Sequence, residues 1–356
     1  MSSSSARPKV LYLSYDGMAE PLGQSQVLAY LRGLAADHDI HLLSYEKPHD
    51  ADKAPAVQAL MDEAGVTWHP QPYTARPPVL STVQDLRRGL RAVRRLAAQV
   101  GGFQLLHARS YVPAYLAWQH GRRTGTPWLF DMRGWMADER VEAGTWARPA
   151  FRPVYRYTKA LERRFFAAAA RTISLTEAGK QEIVRMGAAP AGQVAVIPTC
   201  VDFAAFPPYD PATRAAARAE LGLPPGAFVL LYSGSLGGNY RTDVVLGVFR
   251  EMLALRPDAH LLLLSRTPRD AIAQELNASG IPPDRVTLHG TGYSQVHRYL
   301  MAGDAGLIFY AQAFSTIGRS PTKLGEYWAC GLPALSARGI GDLEALLTRY
   351  PAGGVL

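Results

Sequence analysis

The chain has 356 residues, of which 48% are hydrophobic and 19% charged, with a formal net charge of +8. That length predicts about two domains, each with chain enough for a full core, and the composition excludes a disordered polypeptide. Apolar runs such as 261–264 are far too short to span a bilayer, the Ser-rich start lacks the apolar stretch of a signal peptide, and two cysteines, Cys200 and Cys330, offer neither a disulfide framework nor a metal cluster.

These features predict a cytoplasmic protein without a metal site. The positive charge is unevenly placed, because residues 76–171 hold 18 Lys/Arg against 6 Asp/Glu. Arg87, Arg88, Arg91, Arg94 and Arg95 lie on one predicted helix; Arg148, Arg152, Arg156, Lys159, Arg163 and Arg164 follow on another. Such a patch attracts an anionic membrane surface or a polyanion. It reads equally as a solvated, arginine-rich face. Nucleic acid is a poor fit, since the basic helices lack interleaved aromatics and a recognisable module.

Strand and helix alternate along the whole chain. A β-rich run at 9–14 ends in Tyr15-Asp16-Gly17, and Pro21-Leu22-Gly23-Gln24-Ser25 leads into a predicted helix over 26–36. Strand, glycine-containing loop and helix make the opening unit of a nucleotide-binding type of fold, although the spacing is not G-x-G-x-x-G. Strands at 40–45 and 66–73 flank a helix at 54–64, and a basic helix follows at 83–100. Three later strands stop at polar residues: 104–106 delivers His107, Arg109 and Ser110; 128–130 delivers Asp131 and Arg133; 172–175 delivers Thr176 and Glu177. In a parallel sheet those ends line one edge, so their polar groups are expected to converge. His107 alone reads as readily as a hydrogen-bonded structural histidine. After a strand at 194–197, Phe206-Pro207-Pro208 reads as a linker, giving domains 1–205 and 206–356.

The second domain opens with a buried strand at 228–233, running into Gly234-Ser235-Leu236-Gly237-Gly238-Asn239-Tyr240-Arg241. Glycines between a strand and the helix 242–255 let backbone amides approach a phosphate, and Arg241 supplies charge. Further strands are predicted at 260–265, 286–290, 305–309 and 333–336. Two consecutive β/α sheets imply a central cleft between them.

The most informative stretch runs from Ser320 to Pro333. Ser320 is expected to cap a helix with Pro321 at its first position, and Gly331 followed by Pro333 reads as the stop. Unpaired amides and a positive dipole end, with Thr322 and Lys323 in the first turn, suit an anion such as phosphate. Glu326 lies about 5 Å further along the same face, placed to accept hydrogen bonds from a vicinal diol such as ribose. The plain alternative is a surface ion pair three residues apart.

Val196-Ile197-Pro198-Thr199-Cys200-Val201-Asp202 with Phe206, the Gly234 loop, and Lys323-x-x-Glu326 followed by Ala329-Cys330-Gly331-Leu332-Pro333 resemble the retaining glycosyltransferases of family 4. The resemblance extends to the opening Ser14–Met18 and Pro21–Gln26 segments. It implies the α/β GT-B fold, two Rossmann-like domains facing a central cleft, with a nucleotide-sugar donor on the second and a saccharide or lipid-linked acceptor on the first. It implies no metal and no other cofactor. By the same resemblance, Glu326 binds the ribose, while Lys323, Thr322 and Ser320, with Gly234, Ser235 and Gly237 of the loop, surround the donor diphosphate. Gly23, Gln24, His107, Arg109 and Arg133 fall on the acceptor side, and Asp131 falls near the histidine that many relatives place beside the donor sugar. Catalytic roles are thus expected for Asp131, Lys323 and Arg241.

The chain departs from the family pattern twice. Ser235 replaces the loop arginine, and Gly318 stands where the first of two glutamates is usual. In the front-face mechanism the resemblance implies, the leaving phosphate oxygen takes the proton of the incoming hydroxyl, so the protein must position two reactants and stabilise charge on the diphosphate. Relatives also continue beyond a strand such as 353–356, so the second domain and its brace onto the first are expected to be incomplete here. A GT-B sugar-nucleotide epimerase and a non-catalytic carbohydrate- or nucleotide-sugar-binding protein are the alternatives.

Overall fold

The computed structural model describes residues 7–77, 79–237 and 240–356. It divides into a first unit ending at Pro198 and a second running from Thr199 to Leu356. The division precedes the expected 205/206 linker because the intervening residues belong to the second core. Phe206 is fully buried among Val229, Leu231 and Leu324, with Val201 packed beside them.

The first unit carries a parallel sheet of seven strands: β1 (Lys9–Leu13), β2 (Asp39–Glu46), β3 (Val66–Pro72), β4 (Leu105–Arg109), β5 (Trp128–Asp131), β6 (Arg171–Ser174) and β7 (Val194–Val196). Their spatial order is β3-β2-β1-β4-β5-β6-β7. The second unit carries β8 (Val229–Ser233), β9 (His260–Leu264), β10 (Val286–His289), β11 (Ala305–Ile308), β12 (Ala334–Ser336) and β13 (Gly353–Val355), ordered β10-β9-β8-β11-β12-β13. Each sheet is buried by helices on both faces, which explains why strands such as β8 and β9 are apolar at nearly every position. In both sheets the strand order reverses once, between β1 and β4 and between β8 and β11. The carboxyl ends flanking such a reversal are where α/β sheets place ligands.

Two helical expectations shift. The helix after β1 begins at Pro21 rather than at 26, so Gly23 and Gln24 are helical, and Gln24–Leu28 is a π-helical stretch before the helix Ala29–Leu34. Gly23 has a steric reason for its identity, since a Cβ there would lie 2.2 Å from the carbonyl oxygen of Gly17. The helix expected from Pro321 begins at Thr322 and ends at Ala329, with Gly331 at φ +70° closing it. Ser320 is not its cap. Its hydroxyl takes a hydrogen bond from the Thr199 amide at 3.2 Å and lies 3.0 Å from the Thr199 hydroxyl.

Tyr327 ties this helix to the sheet. Fully buried, its hydroxyl accepts from the Ser233 amide at 3.0 Å and reaches the Leu307 carbonyl at 3.3 Å, joining helix, β8 and β11. The ring lies flat on Gly306, where a Cβ would fall 2.4 Å from Tyr327 Cδ2. Gly306→Ala is therefore expected to lower stability by about 1–3 kcal/mol, the usual scale of overpacking a tight core. Urea unfolding checks this, and an unchanged midpoint contradicts it.

Candidate functional site

In the second unit the site grows from the carboxyl ends of β8 and β11. Gly234 leaves β8 at φ +128°, and a Cβ there would approach Lys323 Nζ to 3.3 Å, so a glycine lets the lysine lie against the strand end. The Lys323 side chain is buried, and its ammonium has no hydrogen-bond partner. It sits instead among aromatic rings: Nζ is 4.2 Å from the Tyr232 centroid, 5.4 Å from Tyr240 and 5.7 Å from Tyr310. Ring faces attract a cation without replacing its hydration, so the ammonium keeps unmet hydrogen-bonding capacity. Glu326 is one turn further along and half-buried, and the two make no ion pair. Burial pulls the Lys323 ammonium down to about 8 with Glu326 opposing, and pushes the Glu326 carboxyl up to about 7 with Lys323 opposing.

The helix beginning at Thr322 has no side-chain cap at Pro321. Its first amides and its dipole therefore present positive potential beside Lys323. The Gly234 loop contributes less than its glycines suggest. The amides of Gly234, Leu236 and Gly237 donate to the Leu264 carbonyl, the Thr267 hydroxyl and the Thr242 hydroxyl respectively. Ser235 offers its carbonyl to the Tyr232 hydroxyl at 2.7 Å. Gly238 and Asn239 lie outside the described residues. Arg241 forms a two-pronged pair with Asp243 at 2.8 and 2.6 Å, on the exposed side of the loop. Thr322 and Lys323 are thus brought together with Glu326 and Gly234, while Arg241 is held by its neighbour.

In the first unit the expected convergence occurs within strands rather than after them, since β4 and β5 include His107, Arg109 and Asp131. Asp131 is buried, with Arg133 Nη1 at 3.6 Å, His107 Nε2 at 3.5 Å and Arg109 Nη1 at 4.0 Å. Burial alone would raise its carboxyl; Arg133, His107 and Arg109 together hold it below the usual range. Arg109 reaches Asp16 at 3.0 Å and the buried Gln26 at 3.1 Å, and Arg133 donates to the same Gln26 oxygen at 2.5 Å. His107 is half-buried against the Tyr12 ring, with centroids 4.4 Å apart. Arg133 sits at φ +61°, a conformation that a long side chain adopts only when its surroundings hold it there. Gln24 lies partly exposed two residues before Gln26.

Sequence reasoning missed Gln26 and the three tyrosines. Tyr232 and Tyr240 flank the Gly234 loop, and Tyr310, far along the chain, joins them only through the adjacency of β8 and β11. Gln26 is buried within the π-helical stretch Gln24–Leu28, and such stretches recur at functional sites.

Comparison with known proteins places the chain in a family. Residues 23–200, half of the chain, match the glycosyl transferase 4-like domain. A D-inositol 3-phosphate glycosyltransferase of Streptomyces avermitilis is 32% identical over 160 residues, 44% of this chain and 33% of that protein. One from Catenulispora acidiphila is 30% identical over 272 residues, 71% of this chain and 58% of that protein. The matched stretches thus span about one third to three fifths of these relatives' length. Among solved structures, Anabaena HepE in complex with UDP and glucose superposes with a TM-score of 0.68 at 14% identity, covering 98% of this chain and 86% of that one. WaaG, a glycosyltransferase of lipopolysaccharide biosynthesis, superposes at 0.62 with 14% identity, covering 98% and 85%. At such identities the likeness speaks for the fold, which is GT-B, built of two Rossmann-like α/β units. With its domain match over half of its residues, the chain belongs to the glycosyl transferase 4-like family.

Proposed function

We propose that this protein transfers a hexosyl group from a nucleotide-diphosphate sugar to a saccharide or lipid-linked acceptor, with retention of anomeric configuration, in the assembly of a surface polysaccharide. The observation that carries the reading is the Lys323 ammonium, buried without a hydrogen-bond partner at a strand-order reversal, beside uncapped helix amides and one turn from Glu326. A diphosphate supplies what that ammonium lacks, and Glu326 accepts from the adjoining ribose. UDP is the first nucleotide to try, because HepE was solved with UDP and with UDP-glucose.

In this reading the bond from the anomeric carbon to the phosphate oxygen breaks while the acceptor oxygen bonds the same face of that carbon. The acceptor proton passes to the departing phosphate oxygen, so the nucleoside diphosphate leaves carrying it. Lys323, the helix amides and, once released from Asp243, Arg241 stabilise the developing charge. No metal or other cofactor is invoked. In the first unit, His107, Arg109 and Arg133 hold the acceptor beside Gly23 and Gln24, and Asp131, buried among cations, serves chiefly to fix those guanidinium groups. No helix among the described residues is long and apolar enough to cross a membrane. The basic first unit suits a cytoplasmic protein held peripherally at the inner face of the membrane.

Three expected outcomes test the donor site. Lys323→Ala and Glu326→Ala each lose most transfer activity while staying folded, whereas near-normal turnover in either removes the assignment. Lys323→Met raises the melting temperature without ligand, because a buried unpaired cation is replaced by an apolar chain, yet abolishes the thermal shift given by UDP, GDP or ADP sugars. A Met variant that keeps the shift contradicts the site. The pH profile of kcat/KM for the donor is bell-shaped. It falls above about 8 as Lys323 loses the proton that the diphosphate needs, and below about 7 as Glu326 gains one and ceases to accept from ribose. A flat profile across that span excludes both groups from donor binding. Donor consumption without acceptor would identify an epimerase instead.

A further inference from the structure

The basic helix Leu80–Val100 and the helix Tyr111–Thr124 lie side by side, and a groove of about 190 Å³ runs between them. Its floor is aliphatic, with Leu90, Val93 and Ala97 from the first helix. Its rim carries Arg94 from the first helix and Arg123 from the second, while His120 is buried beneath them and kept neutral by burial and by Arg94. Each helix buries one face on the sheet and leaves its arginines outside. Arg87, Arg91, Arg94 and Arg95 are all exposed, and among the described residues none of them is within ion-pair distance of a carboxylate. The helix's single acid, Asp85, is buried and taken by Arg88 at 2.9 Å. Charge here is therefore uncompensated next to apolar surface, the combination that an amphiphile with an anionic head complements.

The groove is remote from the strand-end residues of the same unit. The helix Tyr111–Thr124 starts directly after Arg109 at the carboxyl edge of the sheet and runs to the opposite edge, so Arg123 lies about 18 Å along the axis from Tyr111. A ligand in the groove leaves Asp131, Arg109 and Arg133 uncovered.

We infer that this groove binds a single anionic phospholipid of the membrane, one acyl segment lying along Leu90, Val93 and Ala97 and the phosphate held by Arg94 and Arg123. The inference rests on the peripheral membrane reading above and narrows it from a diffuse charge to a defined seat. The guanidinium groups meet the phosphate in the forked geometry that arginine favours, and the aliphatic floor removes methylene groups from water.

The test is sedimentation of the full chain with vesicles of phosphatidylcholine, with and without phosphatidylglycerol. The variants are Ala97→Phe, Arg94→Gln/Arg123→Gln and, as a charge-matched control, Arg152→Gln/Arg156→Gln, each checked for unchanged melting temperature. Ala97→Phe fills the groove without altering charge. It is expected to weaken binding to phosphatidylglycerol vesicles by about tenfold, the scale of one lost apolar side-chain burial. The groove double variant is expected to lose clearly more than the control, and monomeric dihexanoyl-phosphatidylglycerol to compete where inorganic phosphate does not. Wild-type protein that ignores phosphatidylglycerol vesicles overturns the membrane reading and the seat together. Wild-type binding that Ala97→Phe leaves intact, or equal losses in the two double variants, overturns the seat alone. Competition by inorganic phosphate as strong as by the lipid shows an anion site without a lipid seat and likewise overturns it.

Discussion

An ammonium buried among three tyrosine rings, with no oxygen to receive its protons, is the constraint around which the second unit is arranged. Such a group is unfavourable in a folded protein unless something else supplies the missing oxygens. Retaining it sacrifices stability, and the surrounding geometry is built to keep it in place. Gly234 clears room for it, Tyr327 pins its helix to β8 and β11 through two hydrogen bonds, and Gly306 lets that pin lie flat. The first amides of the same helix, which have no side-chain cap, are a second set of donors beside Lys323. Both features become favourable when a dianionic group arrives, which is the sense in which the site is preorganised.

The first unit solves the opposite problem. There the charges at the strand-order reversal are paired among themselves: Asp131 with Arg109, Arg133 and His107, Arg109 with Asp16, and both arginines with Gln26. The charges offset one another, yet Arg109 Nη1 and Asp131 Oδ1 are buried without hydrogen-bond partners, so the network keeps a directed donor and a directed acceptor for neutral hydroxyl groups while no net charge demands an ion. The contrast matches the division of labour proposed here, a diphosphate donor on the second unit and a sugar-like acceptor on the first.

Much of this was legible in the sequence, and the failures have local physical causes. The alternation of strands and helices gave the two sheets, because buried parallel strands such as His260–Leu264 are continuous apolar runs that helices do not mimic. The helix Thr242–Leu255 matches its expected limits, and Lys323 and Gly234, expected around one ligand, lie side by side. A local rule makes Ser320 a cap, whereas its hydroxyl finds a better partner in Thr199, remote in sequence and invisible to such a rule. The Gly234 loop was credited with free amides that Thr242 and Thr267 in fact occupy, again through contacts no spacing rule reveals. Tyr232 and Tyr240 bracket the Gly234 loop without any spacing that marks them, and only the order of β8 beside β11 brings Tyr310 to them. The domain boundary was placed late because Phe206, followed by two prolines, has the composition of a linker but the burial of a core residue.

If a diphosphate completes the Lys323 ammonium, calorimetry of proton exchange detects it. UDP is titrated into the protein at a pH of about 8.5, in buffers of differing ionisation enthalpy, where Lys323 is largely neutral and Glu326 already ionised. Binding is expected to take up a substantial fraction of one proton, and the uptake to disappear in Lys323→Met. UDP binding with no proton uptake, or with uptake that persists in that variant, would contradict it.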